Sequence, residues 1–170
     1  DNMQLGPNLY RVKLRGAEIG EGTAYPNLLM AMDSGVTTGV IDGISEREPA
    51  FGLPAIWIEP QTKPRAEMLG YTVVDPTSVM ATHVTELVKT HADELLSREE
   101  VNHLLDQLRK RTPKLVEEAV PAVVTTSQLQ KVLQGLLQER VPIRDLETIL
   151  ETLADWSPQT KDVVVLTEYA

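Results

Sequence analysis

Three histidines, His83, His91 and His103, are the side chains of this chain best suited to acid–base or metal chemistry. His83 and His91 stand eight residues apart, about two helical turns, too far for the close ligand pair that i, i+4 spacing gives. His91 falls on an apolar helical stripe, where a hydrogen-bonded structural histidine is the ordinary reading. Gly16, Gly20 and Gly22 match neither the dinucleotide fingerprint nor the Walker pattern, and no Gly-Lys-Ser/Thr follows; turn and strand-end positions suit them better. The neighbouring carboxylates Glu99–Glu100 and Glu117–Glu118 diverge on a helix surface, whereas a catalytic pair must converge on one substrate. With no nucleophile elbow and no cysteine, the residues assemble no active site, and no enzyme, metal or cofactor is expected.

A different kind of chemistry is offered by Phe51, the only phenylalanine, set in Glu48-Pro49-Ala50-Phe51-Gly52-Leu53-Pro54. Two prolines and a glycine stiffen this stretch into a loop leading to a strand that ends at Ile58. A large ring on such a loop plugs a core or lines a groove for a partner's apolar side chains, and the residues alone favour the core. Thr82 and Thr85 lie off the main stripe of the helix that follows, beside Val79, and face either solvent or a neighbouring element.

The elements that must carry these residues change character near Asp75. Before it, Tyr10, Val12 and Leu14 alternate with Arg11, Lys13 and Arg15, a half-exposed strand that turns at Gly16 toward Ala17-Glu18-Ile19. Leu28 to Met32, Val36 to Ile41 and Ala55 to Ile58 read as further strands. Pro64 to Leu69 reads as a short helix stopped by Gly70, and Tyr71 to Val74 as a returning strand. After it the spacing is helical. Asp75-Pro76 opens a helix whose apolar face is Met80, Val84, Leu87, Val88, His91 and Leu95. Ser97-Arg98-Glu99-Glu100 is a capping box for the Val101, Leu104, Leu105, Leu108 stripe, which Thr112-Pro113 ends. Ser127 and Gln130 open a helix facing inward through Leu129, Val132, Leu133, Leu136 and Leu137. Beyond Pro142, Leu146, Ile149, Leu150 and Leu153 mark another. The fold class is α+β: small β-containing subdomains followed by an all-helical one.

Composition narrows the partners. The chain has 170 residues, 42% of them hydrophobic, and a net charge of −9. With a pI near 4.8, binding to a phosphate backbone is not its main task. The longest apolar run, Leu53 to Ile58, is short and broken by proline, so direct membrane insertion is not expected either. Asp1 is no initiator methionine, and the Val163-Val164-Val165-Leu166 run ends soon after at Ala170, as in a piece of a longer chain.

The stretches Asp1 to Tyr10, Glu48 to Ile58, Gly70 to Asp75, Ala81-Thr82-His83 and Val141 to Glu151, in this order, resemble the cytoplasmic domain of the FlhA family. That family is the large membrane component of the flagellar type III export apparatus, with relatives in virulence injectisomes. The Pro49-Ala50-Phe51-Gly52 and Ala81-Thr82-His83 segments favour the flagellar branch. The resemblance implies a first subdomain of residues 1–26 plus 76–95, an inserted α+β second subdomain of 27–75, and an incomplete helical third of 96–170. It implies a non-enzymatic docking platform on the cytoplasmic face of the bacterial inner membrane, with no cofactor, that receives export chaperone–substrate complexes and orders their export. The full-length protein is then an integral membrane protein forming a homo-oligomeric ring that works with other export apparatus proteins, including the ATPase complex. By position, Phe51 and Thr82 match the centre of the chaperone site, Val74 and Val79 its apolar lining, and Glu48 a polar contact at its edge, where aspartate is common in the family. The alternatives are an injectisome homologue with other partners, or a small-molecule enzyme domain, which would need His83 or His103 in a cleft with convergent polar groups.

Overall fold

A computed structural model describes residues 5–120 and 123–170. The chain forms two compact units, Asp1–Leu87 and Val88–Ala170.

The first unit begins with an antiparallel ribbon of β1 (Leu9–Leu14) and β2 (Ala17–Thr23), closed by Arg15 and Gly16, both at positive φ. Positive φ at both turn residues matches the twist of the strands. As the alternation predicts, Tyr10, Val12 and Leu14 are the half-buried residues of β1. Four further strands, β3 (Leu29–Met32), β4 (Ile44–Arg47), β5 (Pro54–Ile58) and β6 (Thr72–Val74), form a second antiparallel sheet in the order β4-β5-β3-β6. Period-two side chains give this sheet two apolar faces. Ala31 and Ile58 pack with Ala66 of α1 (Lys63–Met68), Ile41 and Tyr71. On the opposite face Met30, Ala55 and Trp57 pack with Val79 of α2 (Pro76–Thr90), and Tyr25 meets Trp57 edge-on.

Two expectations about this unit are corrected. Val36 to Ile41 is not a strand: Thr38 N–H donates to the Leu69 carbonyl and Gly39's carbonyl accepts the Tyr71 hydroxyl, so these backbone groups find partners outside any ladder. Val40 is 81% exposed, and only Ile41 is buried. The strand on that side is β4, a mostly exposed edge strand without the apolar alternation that marks a strand in sequence. The inward face of α2 is also not the expected stripe. Val79 and His83 are buried, while Met80, Val84 and Val88 are exposed. A polar histidine on the inner face shifts the apparent apolar stripe by one residue, or 100° of helix. Asp75 caps α2 as expected, its carboxylate accepting from the N–H and hydroxyl of Ser78. The helix ends at Thr90, and a separate turn, α3 (Ala92–Leu95), carries on from His91.

The second unit is helical throughout its described elements: α3, α4 (Arg98–Arg111), α5 (Pro113–Ala119), α6 (Thr126–Gln138), α7 (Leu146–Trp156) and α8 (Val163–Tyr169). Its core is one cluster in which Val101, Leu129, Leu133, Leu150, Leu153 and Leu166 are fully buried. The predicted stripes on α4, α6 and α7 face it. Ser97 caps α4 by accepting from Glu100 N–H. For α6 the cap is Thr125 rather than Ser127, with Gln128 closing the reciprocal capping box. Pro113 both ends α4 and starts α5, the helix that carries Glu117 and Glu118.

Candidate functional site

The loop between β4 and β5 is held from several sides. Glu48 N–H donates to the Leu53 carbonyl and Gly52 N–H to the Glu48 carbonyl, each at 2.8 Å. The two carboxylate oxygens of Glu48 accept from Ala50 N–H and Phe51 N–H, each at 2.7 Å. Arg47 Nη1 donates to the Gly52 carbonyl at 2.8 Å. Gly52 sits at φ 71°, a backbone region that a side chain with Cβ enters only with strain. Two prolines therefore flank a turn whose backbone has little freedom, and at its tip Phe51 is 63% exposed. An aromatic ring held in water on a rigid turn has already lost much of the entropy that binding would otherwise remove. The structure resolves the choice left open by the residues: Phe51 is not a core plug.

Glu48 is where the expected side-chain role changes. Its residue is 3% exposed, so the carboxylate is no open contact at the edge of a groove. Burial of a charge is tolerated because both oxygens accept backbone N–H groups, which are strong charge-assisted bonds. Val79 is likewise covered, at 2% exposure, and supports the surface from below instead of lining it. Val74 is half-buried and packs on the same cluster, and Thr82 is exposed on α2.

Next to Thr82, His83 is 5% exposed. Its Nδ1 lies 2.7 Å from the Tyr10 hydroxyl, with the two rings edge to face. Burial, reinforced by the nearby Glu48 charge, pushes the Tyr10 phenol up to about 12. Burial also holds the His83 imidazole below its ordinary value, against the opposing pull of Glu48. One hydrogen bond joins the Tyr10 hydroxyl and His83 Nδ1, its donor set by the imidazole tautomer. Tyr10 reaches this position across Gly22, its partner in the ribbon, where an added Cβ would lie within 3 Å of the ring. A shallow cleft of about 380 Å³ separates Leu9, Glu21, Gly22 and Thr23 of the ribbon from Glu46, Arg47, Glu48, Pro49 and Gly52.

The three histidines do not converge. His83 belongs to the first unit, and His91 and His103 to the second, where His103 is paired with Gln107 on the exposed side of α4. Among the described residues no group of histidines and carboxylates has the arrangement of a metal site. The Tyr10–His83–Glu48 grouping escaped the sequence reading because Tyr10 and His83 are 73 residues apart. Nothing local marks such a pair except the strand alternation that turns Tyr10 inward.

The FHIPEP family model matches residues 1–170, the whole chain. The chain belongs to the FHIPEP family. It is 50% identical over 167 residues to the flagellar biosynthesis protein FlhA of Escherichia coli K12, covering 98% of this chain and 24% of that protein. This FHIPEP chain thus spans about a quarter of the length of the curated relatives it matches. Its fold is similar to that of Chlamydia pneumoniae CdsV, with a TM-score of 0.84 at 27% identity over 99% of this chain and 48% of that one. It is also similar to nonameric EPEC SctV-C, with a TM-score of 0.71 at 26% identity over 98% of this chain and 51% of that one. As in those folds, the architecture is α+β. Among the described residues no helix is long and apolar enough to cross a membrane.

Proposed function

We propose that this chain is part of the docking platform of a bacterial flagellar type III export gate, receiving export chaperone–substrate complexes at Phe51. The observation that carries the reading is an exposed aromatic ring on a turn fixed by five hydrogen bonds, in the same unit as the exposed Thr82. Rigid aromatic anchors are the residues on which protein interfaces most often depend. Phe51 supplies the apolar contact to a short hydrophobic helix or motif of the chaperone, Val74 extends it, and Thr82 orients the partner by a polar contact. Val79 and Glu48 act beneath that surface.

The platform needs no cofactor and no catalysis. It sits at the cytoplasmic face of the inner membrane in a full-length membrane protein and works there with other export apparatus proteins, including the ATPase complex. A homo-oligomeric ring is supported by the nonameric state of EPEC SctV-C, to which this fold is similar. The ribbon with α2 is read as the first subdomain, the four-stranded sheet with α1 as an insertion into it, and the helical unit as the third. The flagellar branch is preferred to an injectisome because the E. coli relative at 50% identity is a flagellar protein.

Calorimetry of a purified flagellar export chaperone–substrate complex binding to this chain tests the reading. The Phe51→Ala variant is expected to unfold like the parent and to bind at least about tenfold more weakly. Unchanged affinity would remove Phe51 from the docking site.

A further inference from the structure

Strand β4 runs straight into the Phe51 turn and has a neighbour on one side only, because the sheet order is β4-β5-β3-β6. Glu48 N–H donates to the Leu53 carbonyl, while the Pro54 carbonyl accepts from Asp33 N–H, just past β3. With Glu46 opposite Ala55 and Arg47 opposite Pro54, antiparallel alternation turns the backbone groups of Glu46 and Glu48 toward β5. The N–H and C=O groups of Ser45 and Arg47 therefore point out of the sheet. Both residues are exposed, and among the described residues no hydrogen bond reaches those groups.

Open edges of this kind accept a further strand, and proteins commonly guard them with charge. Here the guard is drawn aside, since Arg47 Nη1 donates to the Gly52 carbonyl at 2.8 Å. The same cleft of about 380 Å³ is bordered by Glu46, Arg47 and Glu48 on one side and by Glu21, Gly22 and Thr23 of β2 on the other. Pro49 and Gly52 also line it, which puts it at the foot of the turn that carries Phe51. Of its charged residues, Arg47 is held by Gly52, Glu21 pairs with Arg11, and Glu48 is satisfied by its own turn. Glu46 has no ion-pair partner among the described residues, so the uncommitted charge of the cleft is negative.

We propose that the partner docks by strand addition: an extended segment of the chaperone–substrate complex, carrying a basic residue, pairs with the outer edge of β4 and sets its apolar contact on Phe51. This inference rests on the docking reading above. Main-chain pairing supplies affinity that is indifferent to the partner's sequence, while Glu46 and the Phe51 ring select a basic and an apolar side chain. β4 has four residues, and Phe51 stands four positions beyond Arg47, so a segment laid along β4 reaches the turn that carries the ring.

Amide hydrogen exchange, read by NMR on the ¹⁵N-labelled 170-residue chain, addresses the pairing directly. The Ser45 and Arg47 amides are expected to exchange at least about tenfold more slowly once a purified flagellar export chaperone–substrate complex is bound. Ser45→Pro removes one outward donor at an edge position where proline is tolerated. It is expected to weaken binding about tenfold in calorimetry while unfolding like the parent. Ser45→Ala keeps that donor and is expected to bind like the parent. Glu46→Gln removes the charge at constant shape and is expected to weaken binding about threefold, less so as salt is raised.

Unprotected Ser45 and Arg47 amides in a complex that calorimetry shows to form overturn strand addition, and this readout stands even where Ser45→Pro fails to fold. So do parent-like affinity in Ser45→Pro, an equal loss in Ser45→Ala, and parent-like affinity in Glu46→Gln at low salt. Protection of both amides in the free chain, rising with its concentration, assigns the edge to a second copy and overturns the proposal as well. With Phe51→Ala still defective, each of these results leaves the docking reading standing. Parent-like binding by Phe51→Ala overturns that reading, and strand addition with it.

Discussion

The two units of this chain solve the same problem with different materials. The second unit is a single leucine- and valine-rich cluster drawn from α4 to α8, with polar chemistry confined mostly to helix ends and outer faces. The first unit divides its apolar residues between the two faces of one small sheet, and it adds a buried histidine paired with a half-buried tyrosine, and a buried glutamate. Apolar packing is non-directional and forgiving of shape, so it suits a scaffold. Hydrogen-bonded polar groups are costly to misplace, so they suit a surface whose geometry matters. The exposed Phe51 sits on the polar-framed unit, consistent with that division.

The sharpest way to break the contrast is in the helical core. Leu150→Ala removes a fully buried side chain and is expected to destabilise the second unit by about 3 kcal/mol, read by urea unfolding. It should leave the Tyr10–His83 bond, followed by the His83 ring resonances, in place. Loss of that bond would show that the two units share more than the contrast allows.

The next effect in size is at the docking residue. Phe51→Ala is expected to cost about 2 kcal/mol of binding but no more than about 0.5 kcal/mol of stability, because the ring is exposed and its turn is held by Glu48. A large loss of stability in thermal unfolding would return Phe51 to the core.

Helix capping gives a smaller effect confined to the second unit. Thr125→Ala breaks the capping box of α6 and is expected to cost about 1 kcal/mol in the same urea experiment.

The smallest and most selective effect is pH dependence in the first unit. The folded His83 binds its proton less readily than the unfolded residue. Its contribution to stability is therefore complete above the ordinary histidine value of 6.5 and is lost as pH falls through the depressed folded value. Tyr10 has the opposite sign: its contribution is complete below 10.0 and is lost as pH rises toward about 12. Unfolding of the parent and of Tyr10→Phe, measured across both windows, should differ in slope on the alkaline side. Identical slopes would detach Tyr10 from the stability of this unit.

The helical half was the more legible in sequence because its signals are local. Leu146, Ile149, Leu150 and Leu153 declare a buried face by spacing alone, and Ser97 with Glu100 declares a helix start. The first unit was read less well wherever pairing is non-local or polarity runs against burial. The exposed, polar β4 carries no strand signal, although it forms the edge of the sheet. The inner face of α2 was misread because one of its two buried residues is a histidine. At the site, Phe51 and Thr82 are exposed as docking requires; the residues alone raised both as open questions, and only the family resemblance gave them a docking role. Glu48 was expected at the edge of the groove by position in the family, and only the folded turn shows both its oxygens occupied.

Because Phe51 is the only phenylalanine, fluorinated phenylalanine places a single ¹⁹F label at the proposed contact. Docking at Phe51 predicts one solvent-exposed resonance that shifts or broadens when the purified flagellar export chaperone–substrate complex is added, saturating at the stoichiometry found by calorimetry on the same sample. A resonance that stays unchanged while calorimetry registers binding would place the contact elsewhere and contradict docking at this ring.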